Sequence, residues 1–191
     1  MSVRDGLMAI LTLGPAYGLQ LHAELARRAP HRGPVNVGQI YSTLDRLSTQ
    51  RLIASAGVTD DGLPQYALTP AGRIASNDWI ETPALHLLPE WTEMLDQVLV
   101  GSSVSPAAAP PLIAGYRHWW VDDGLAARST LAESEVDAAA RLSLLARVSR
   151  ADAAVDWLDQ AARVVAADDP FLPYSAVRPK RGRRPAVTAA S

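Results

Sequence analysis

The chain has 191 residues, 48% hydrophobic and 20% charged, enough for one or two small globular domains. It contains no cysteine, which excludes a disulfide framework and any cysteine-based metal site. The net charge of −2 conceals three unlike stretches. Seven arginines meet six acids over 1–80, six arginines meet fourteen acids over 81–177, and five cations with no acid close the chain over 178–191. A polyanionic partner should therefore avoid the middle. No signal peptide is expected, because Leu7–Leu13 is apolar but only Arg4 precedes it and Asp5 interrupts. No apolar run approaches the ~18 residues needed to span a membrane, so a cytoplasmic protein with no membrane partner is expected.

Val3–Leu13 reads as a first helix, with Leu7, Ile10 and Leu11 on one side. Gly14-Pro15 ends it, since proline cannot continue the hydrogen-bond ladder. Tyr17-Gly18 is a short connection, and Leu19–Arg28 a second helix with Leu21 and Leu25 facing inward. Ala29–Pro34, with two prolines and a glycine, is a loop. Asn36–Arg51 is a third helix. At about 100° per residue its Val37, Ile40, Leu44 and Leu47 share one stripe, and Asn36 can cap the start. Gly38, Gln39, Ser42, Asp45 and Arg46 point the other way, with Tyr41 on the flank. That face carries little charge but offers a hydroxyl, an amide, a guanidinium and a glycine that removes bulk. Such a face suits a helix that enters a groove and meets base edges. An ordinary amphipathic helix is the competing reading.

The period then changes. Leu52–Val58 and Leu63–Leu68 read as two short strands joined by a turn at Thr59-Asp60-Asp61-Gly62, a β-hairpin. Thr69-Pro70 starts a helix to about Glu81, with threonine as cap and proline in the first position. Helix, helix, helix, hairpin, helix is the order of a winged helix-turn-helix: the second helix supports, the third reads DNA, and the hairpin is the wing. From Thr82 the sequence is helical, in segments Leu87–Val100, Leu112–Ala132 and about Glu133 to Ala167. Gly101–Pro106, extended to Pro111, reads as a linker. Asp168-Asp169-Pro170 stops the last helix, a loop follows to Val177, and the rest is a basic tail expected to be disordered.

Four blocks resemble the PadR transcriptional regulators: Gly14-Pro-Ala-Tyr-Gly-Leu-Gln-Leu21, Gly38-Gln-Ile-Tyr-Ser-Thr-Leu-Asp-Arg-Leu47, Arg51-Leu-Ile53 and Tyr66-Ala-Leu-Thr-Pro-Ala-Gly72. They cover Val3 to about Ile80, in the family's order and spacing. The helical second half is similar to that family in layout alone. The resemblance implies a mainly α fold: an N-terminal winged helix-turn-helix with a two-stranded wing, then an all-helical dimerisation region. The divisions are expected at 1–82, 83–169 and 170–191. It implies a homodimer on double-stranded palindromic operator DNA, acting as a repressor and released by a small aromatic molecule. Carried over by position, Gln39, Tyr41, Ser42 and Arg46 lie at the DNA, with Tyr41 and Ser42 on phosphates and Gln39 and Arg46 on base edges; Arg46 is alternatively an intrahelix partner of the neighbours of Asp45. Arg4 and Arg32 are further phosphate contacts. Arg51 either reaches a phosphate or complements its helix dipole, and Tyr41 is either a phosphate ligand or a packing residue. One departure concerns the wing. Its tip is Asp60-Asp61-Gly62 where basic residues are frequent in the family, so the wing stays off the DNA or contributes through Gln65 and its backbone.

Five tryptophans accompany one phenylalanine. Trp91, Trp119 and Trp120 either pack in core and dimer interface or line a pocket for a planar ligand. Trp119 and Trp120, ~100° apart on a helix, cannot both face one core. The tail Arg178-Pro-Lys180-Arg181-Gly-Arg183-Arg184-Pro resembles an AT-hook, imperfectly because of its extra arginine; a solubilising tail is the alternative. The histidines at 22, 31, 86 and 118 show no metal spacing, and no phosphate-binding loop or nucleophile elbow appears. No enzyme activity, cofactor or metal is expected. The alternatives to an effector-controlled regulator are an effector-independent DNA-binding protein and a helical protein-interaction module.

Overall fold

The computed structural model describes residues 3–33, 35–85, 90–132, 137–177 and 179. In order the elements are α1 (Val3–Leu11), β1 (Ala16–Tyr17), α2 (Gly18–Arg28), α3 (Val37–Thr49), β2 (Ile53–Val58), β3 (Pro64–Leu68), α4 (Pro70–Glu81), α5 (Trp91–Val104), α6 (Ala109–Ala132) and α7 (Ala138–Ala167). Short 3-10 turns at Pro30–Arg32 and Pro106–Ala108 bend the chain before α3 and α6.

The head is a winged helix-turn-helix. Leu7 and Ile10 of α1, Leu21 and Leu25 of α2, and Ile40, Leu44 and Leu47 of α3 close over one core. The Asn36 side chain accepts from Gly38 N at 2.7 Å, and Thr69 Oγ1 accepts from Gly72 N at 3.1 Å. Both caps therefore satisfy a first-turn N–H as expected. Arg51 ends α3 in the left-handed region, at φ 58°. The wing differs from a two-stranded hairpin. Tyr17, expected to be part of a mere connection, instead forms a short strand with Ala16; the two pair with Gln65 and Tyr66 respectively, giving an antiparallel sheet in the order β1-β3-β2. Gly57 (φ 96°) lies where the β2–β3 register shifts, and Gly62 (φ 76°) closes the turn.

The expected linker at 101–111 is absent. Gly101–Val104 completes α5, and Ala109–Pro111 opens α6. Ser102 and Ser103 are buried within α5, and their hydroxyls donate to the carbonyls of Val98 and Val100, so serine here does not break the helix. The prolines sit in first turns, where an N–H is unpaired anyway.

Helix α5 belongs to two cores. Val100 packs into the head, whereas Met94 and Val98 pack with Leu112, Tyr116 and Trp120 of α6 and Leu158 of α7. Buried Gln97 accepts from Ala84 N at 3.1 Å and donates to Thr82 O at 2.7 Å, which pins the α4–α5 connection. Helices α6 and α7 run antiparallel, joined by Arg117–Asp159, Arg128–Asp152 and Arg147–Asp123. No described helix is long and apolar enough to cross a membrane.

The stretch after α7 is a loop, as expected, but it does not hang free. It crosses back over the head. Leu172 N donates to Ser103 O (2.9 Å), Arg28 Nη2 to Leu172 O (2.7 Å) and Arg27 Nη2 to Pro173 O (2.5 Å). Tyr174 Oη donates toward the carbonyls of Ile10 (3.0 Å) and Gly14 (2.8 Å), and Ser175 N donates to Glu24 Oε1 (2.7 Å). Arg178, Lys180, Arg181, Arg183 and Arg184 lie outside the described residues.

Candidate nucleic-acid interface and interdomain cavity

The buried stripe of α3 is Ile40, Thr43, Leu44 and Leu47. The opposite arc is exposed. Gln39 and Arg46 stand at one edge and Tyr41 at the other, with Gly38, Ser42 and Asp45 between them. Arg46 lies back along the helix, its Nε 3.2 Å from Ser42 O and its Nη2 3.4 Å from Ser42 Oγ. Those two bonds hold it on the outward face, where a stronger acceptor would take it.

Arg4, Arg32, Gln39 and Arg46 line one depression of about 250 Å³, together with Thr43 and Gln50. Four residues from three separated parts of the sequence thus meet. Two of them have prior engagements. Arg4 Nη1 donates to Asp5 at 2.9 Å. Arg32 is a correction to the simple phosphate reading: its Nε and Nη2 grip both oxygens of fully buried Asp96 at 2.5 and 2.6 Å, with His31 Nε2 at 3.1 Å. A planar fork filled by a carboxylate has a structural task, here fastening the head to α5.

Tyr41 is 37% exposed, and its ring lies over Gly18, where a β-carbon would come within 2.7 Å of Cε1. It packs on α2 and still presents an edge outward. Arg51 is exposed, and its own carbonyl accepts from Thr69 Oγ1 at 2.8 Å. Gln65 lies at the base of the wing rather than its tip, in a second depression with Tyr17 and Gln20. At the tip Asp61 accepts from Thr59 Oγ1 at 2.6 Å.

The tryptophans divide. Trp120 is wholly buried, with its indole N–H on Met94 Sδ at 3.3 Å and the Arg150 guanidinium 5.3 Å from its ring. Sealed at 0% exposure in the core, it offers an effector no face to stack on, which corrects the effector assignment for that residue. Trp119 stands edge-on to it at 4.8 Å. Trp91 packs edge-on against Trp157 at 5.8 Å. Trp157, Leu99 of α5, Arg28 and Pro30 of the head, and Leu172 of the returning loop line an apolar cavity of about 490 Å³. Sequence periodicity gives no sign of it, because its walls come from four separated parts of the chain. The Arg28 side chain is fully buried and paired with Glu24 at 3.0 Å, yet its Nε and Nη1 have no hydrogen-bond partner among the described residues.

Three right-handed helices with a small antiparallel wing, and an open polar face on the third, define a winged helix-turn-helix. Residues 7–78 match the model of the Transcriptional regulator PadR-like family, so the head is similar to that family's. No curated protein matches. Among solved structures the chain is similar to Bacillus subtilis PadR in complex with operator DNA (18% identity, 85% of this chain, 98% of that one, TM-score 0.38). It is similar also to the PadR-like regulator BC1756 from Bacillus cereus (17%, 87% and 99%, TM-score 0.37) and the Vibrio cholerae virulence activator AphA (18%, 87% and 99%, TM-score 0.37).

Proposed function

We propose that the protein is a homodimeric repressor that binds a palindromic operator through α3 of each subunit and is released by a small aromatic effector. The observation that carries DNA binding is the exposed arc of α3, whose Gln39, Ser42 and Arg46 face outward from a helix fixed by a full apolar stripe. In this reading Gln39 and Arg46 meet base edges in the major groove. Tyr41, Ser42, Arg4 and Arg51 meet phosphates, and Gln65 meets the backbone on the wing side. Arg32, neutralised by Asp96, stays out of the contact set and holds the head to α5.

Two exposed leucines on α7, Leu142 (69%) and Leu145 (48%), lie three residues apart on one face and support pairing through the C-terminal helices. Half-sites then fall about one helical turn apart. The cavity beside Trp157 supports the effector: its apolar walls, Trp157, Leu99 and Leu172 among them, suit a small aromatic ring. It acts only if it binds the two head orientations differently.

A mobility shift with the DNA upstream of the protein's own gene tests the reading. A discrete complex that weakens with salt is expected. Dimers that leave this DNA unshifted at low salt would overturn it. A panel of aromatic acids, followed by tryptophan fluorescence and by release of the DNA complex, tests the effector.

A further inference from the structure

We propose that residues 170–175 are a regulatory strap: they wall the cavity beside Trp157 and, through α2, pass its occupancy to the DNA-binding head. This rests on the reading of an effector-released DNA-binding protein above.

The first ground is a shared set of residues. Pro170 and Leu172 of the strap line the cavity, and so do Arg27, Arg28 and Ser103. Those last three also hold the strap. Leu172 N donates to Ser103 O at 2.9 Å, Leu172 O accepts from Arg28 Nη2 at 2.7 Å, and Pro173 O accepts from Arg27 Nη2 at 2.5 Å. A ligand against Leu172 therefore lies beside the bonds that dock it. The docked strap supplies part of the apolar wall, so a ligand that touches Leu172 binds the docked form better, and linkage makes it hold the strap down.

The second ground is what the strap joins. At one end it continues α7, whose last turn closes with Asp168 N on Val164 O at 2.9 Å. At the other end it is fixed to the helices of the head. Ser175 N donates to Glu24 Oε1 at 2.7 Å, and Glu24, 2% exposed, pairs with both Arg27 and Arg28. The Tyr174 ring packs on the head core, and its hydroxyl reaches the carbonyls of Ile10 and Gly14, where α1 gives way to β1. Helix α2 carries Gly18, the seat of the Tyr41 ring on α3. A docked strap thus ties α7 to the support of the reading helix. The head turns to fit a half-site when the strap lets go, and a ligand that holds the strap holds the head back. DNA and ligand then act on the strap in opposite directions.

The test uses the full-length protein, the upstream DNA and indole, a flat apolar ring, as the probe. Hydrogen exchange at the Leu172 and Ser175 amides should slow with indole and quicken with DNA, by about tenfold in each direction, and indole should weaken the DNA complex. Three glycines inserted between Asp168 and Asp169 slacken the strap by up to ~10 Å and leave every anchor and the cavity lining in place. This variant should bind DNA at least as tightly as the parent, and indole should no longer release it. Tyr174→Phe, which lies off the cavity and keeps the ring in the core, should lose part of the response in the same way. If indole releases the slackened variant as it does the parent, or releases the DNA with no change in exchange at Leu172 and Ser175, the strap transmits nothing while the effector reading stands. Weaker DNA binding by the slackened variant means that the docked strap serves DNA binding, and it overturns the proposal too. If indole neither binds the parent nor releases it from DNA, the effector reading fails and takes the strap with it.

Discussion

The ring of Tyr41 rests on the bare backbone of Gly18, and a β-carbon there would sit 2.7 Å from Tyr41 Cε1. Both readings of Tyr41 are thereby compatible: α2 holds the ring, and the held ring is what a phosphate meets. Gly18→Ala should leave the melting temperature within a few degrees, because an alanine suits a first helical turn. It should weaken operator binding about tenfold, or ~1.4 kcal/mol, by displacing the ring. Tyr41→Phe should weaken binding about equally on all sequences. If Tyr41→Phe instead unfolds the head in thermal melts, packing is the ring's whole role.

Arg46 should behave differently. It sits with Gln39 at the other edge of the exposed arc, tethered to Ser42 of its own turn. Arg46→Ala should relax sequence preference at one position per half-site, with a loss of about 1–3 kcal/mol of discrimination. Selection from a randomised operator pool measures this, and unchanged preference would remove Arg46 from base reading.

The Arg32–Asp96 pair should appear in stability rather than in specificity. Asp96 is fully buried, so Asp96→Ala leaves Arg32 without its counter-charge and should cost about 3–5 kcal/mol in urea unfolding. The double variant Arg32→Met with Asp96→Leu should recover most of that loss, since a well-packed apolar pair avoids desolvating two ions.

Gly72 is required for a steric reason. A β-carbon there would lie 1.9 Å from the Leu52 carbonyl oxygen, which also accepts from Thr69 N at 3.0 Å. Gly72→Ala should push α4 off the wing and destabilise by about 3 kcal/mol or more, with parallel loss of DNA binding. Calorimetry of the variant checks this.

Alkaline pH should loosen the fold. Burial raises the phenols of Tyr116 and Tyr174 well above the ordinary 10.0, with nearby carboxylates (Glu93 and Glu24 respectively) adding to it. The folded state then keeps protons that the unfolded chain releases above pH 10.0, so stability falls as pH rises through that value. Urea midpoints from about pH 8 to about pH 11 should decline. Tyr174→Phe should be less stable at neutral pH, through its two lost carbonyl contacts, but should decline less steeply.

The sequence by itself determined the head. Periodicity marked the buried stripes of α2 and α3, Asn36 and Thr69 announced the caps of α3 and α4, and proline and glycine marked the breaks. These signals act within one helical turn, so they survive without knowledge of the rest of the chain. The outward residues of α3 follow from the same stripe, which is why Gln39, Tyr41, Ser42 and Arg46 were legible as a set. Tertiary structure decided what meets what. Arg32 and Asp96 are 64 positions apart, and Arg27 and Pro173 are 146 apart. Nothing local distinguishes an arginine destined for a carboxylate from one facing solvent. For the same reason the pattern could say that Trp119 and Trp120 diverge but not which is sealed, nor that Trp157 would face a cavity. The serine-rich end of α5 read as a linker because its hydroxyls compete with helix in isolation, and burial against the head settles that competition. Residues 170–177, without any period, carried no hint of their return; they are ordered by partners that only the fold brings within reach.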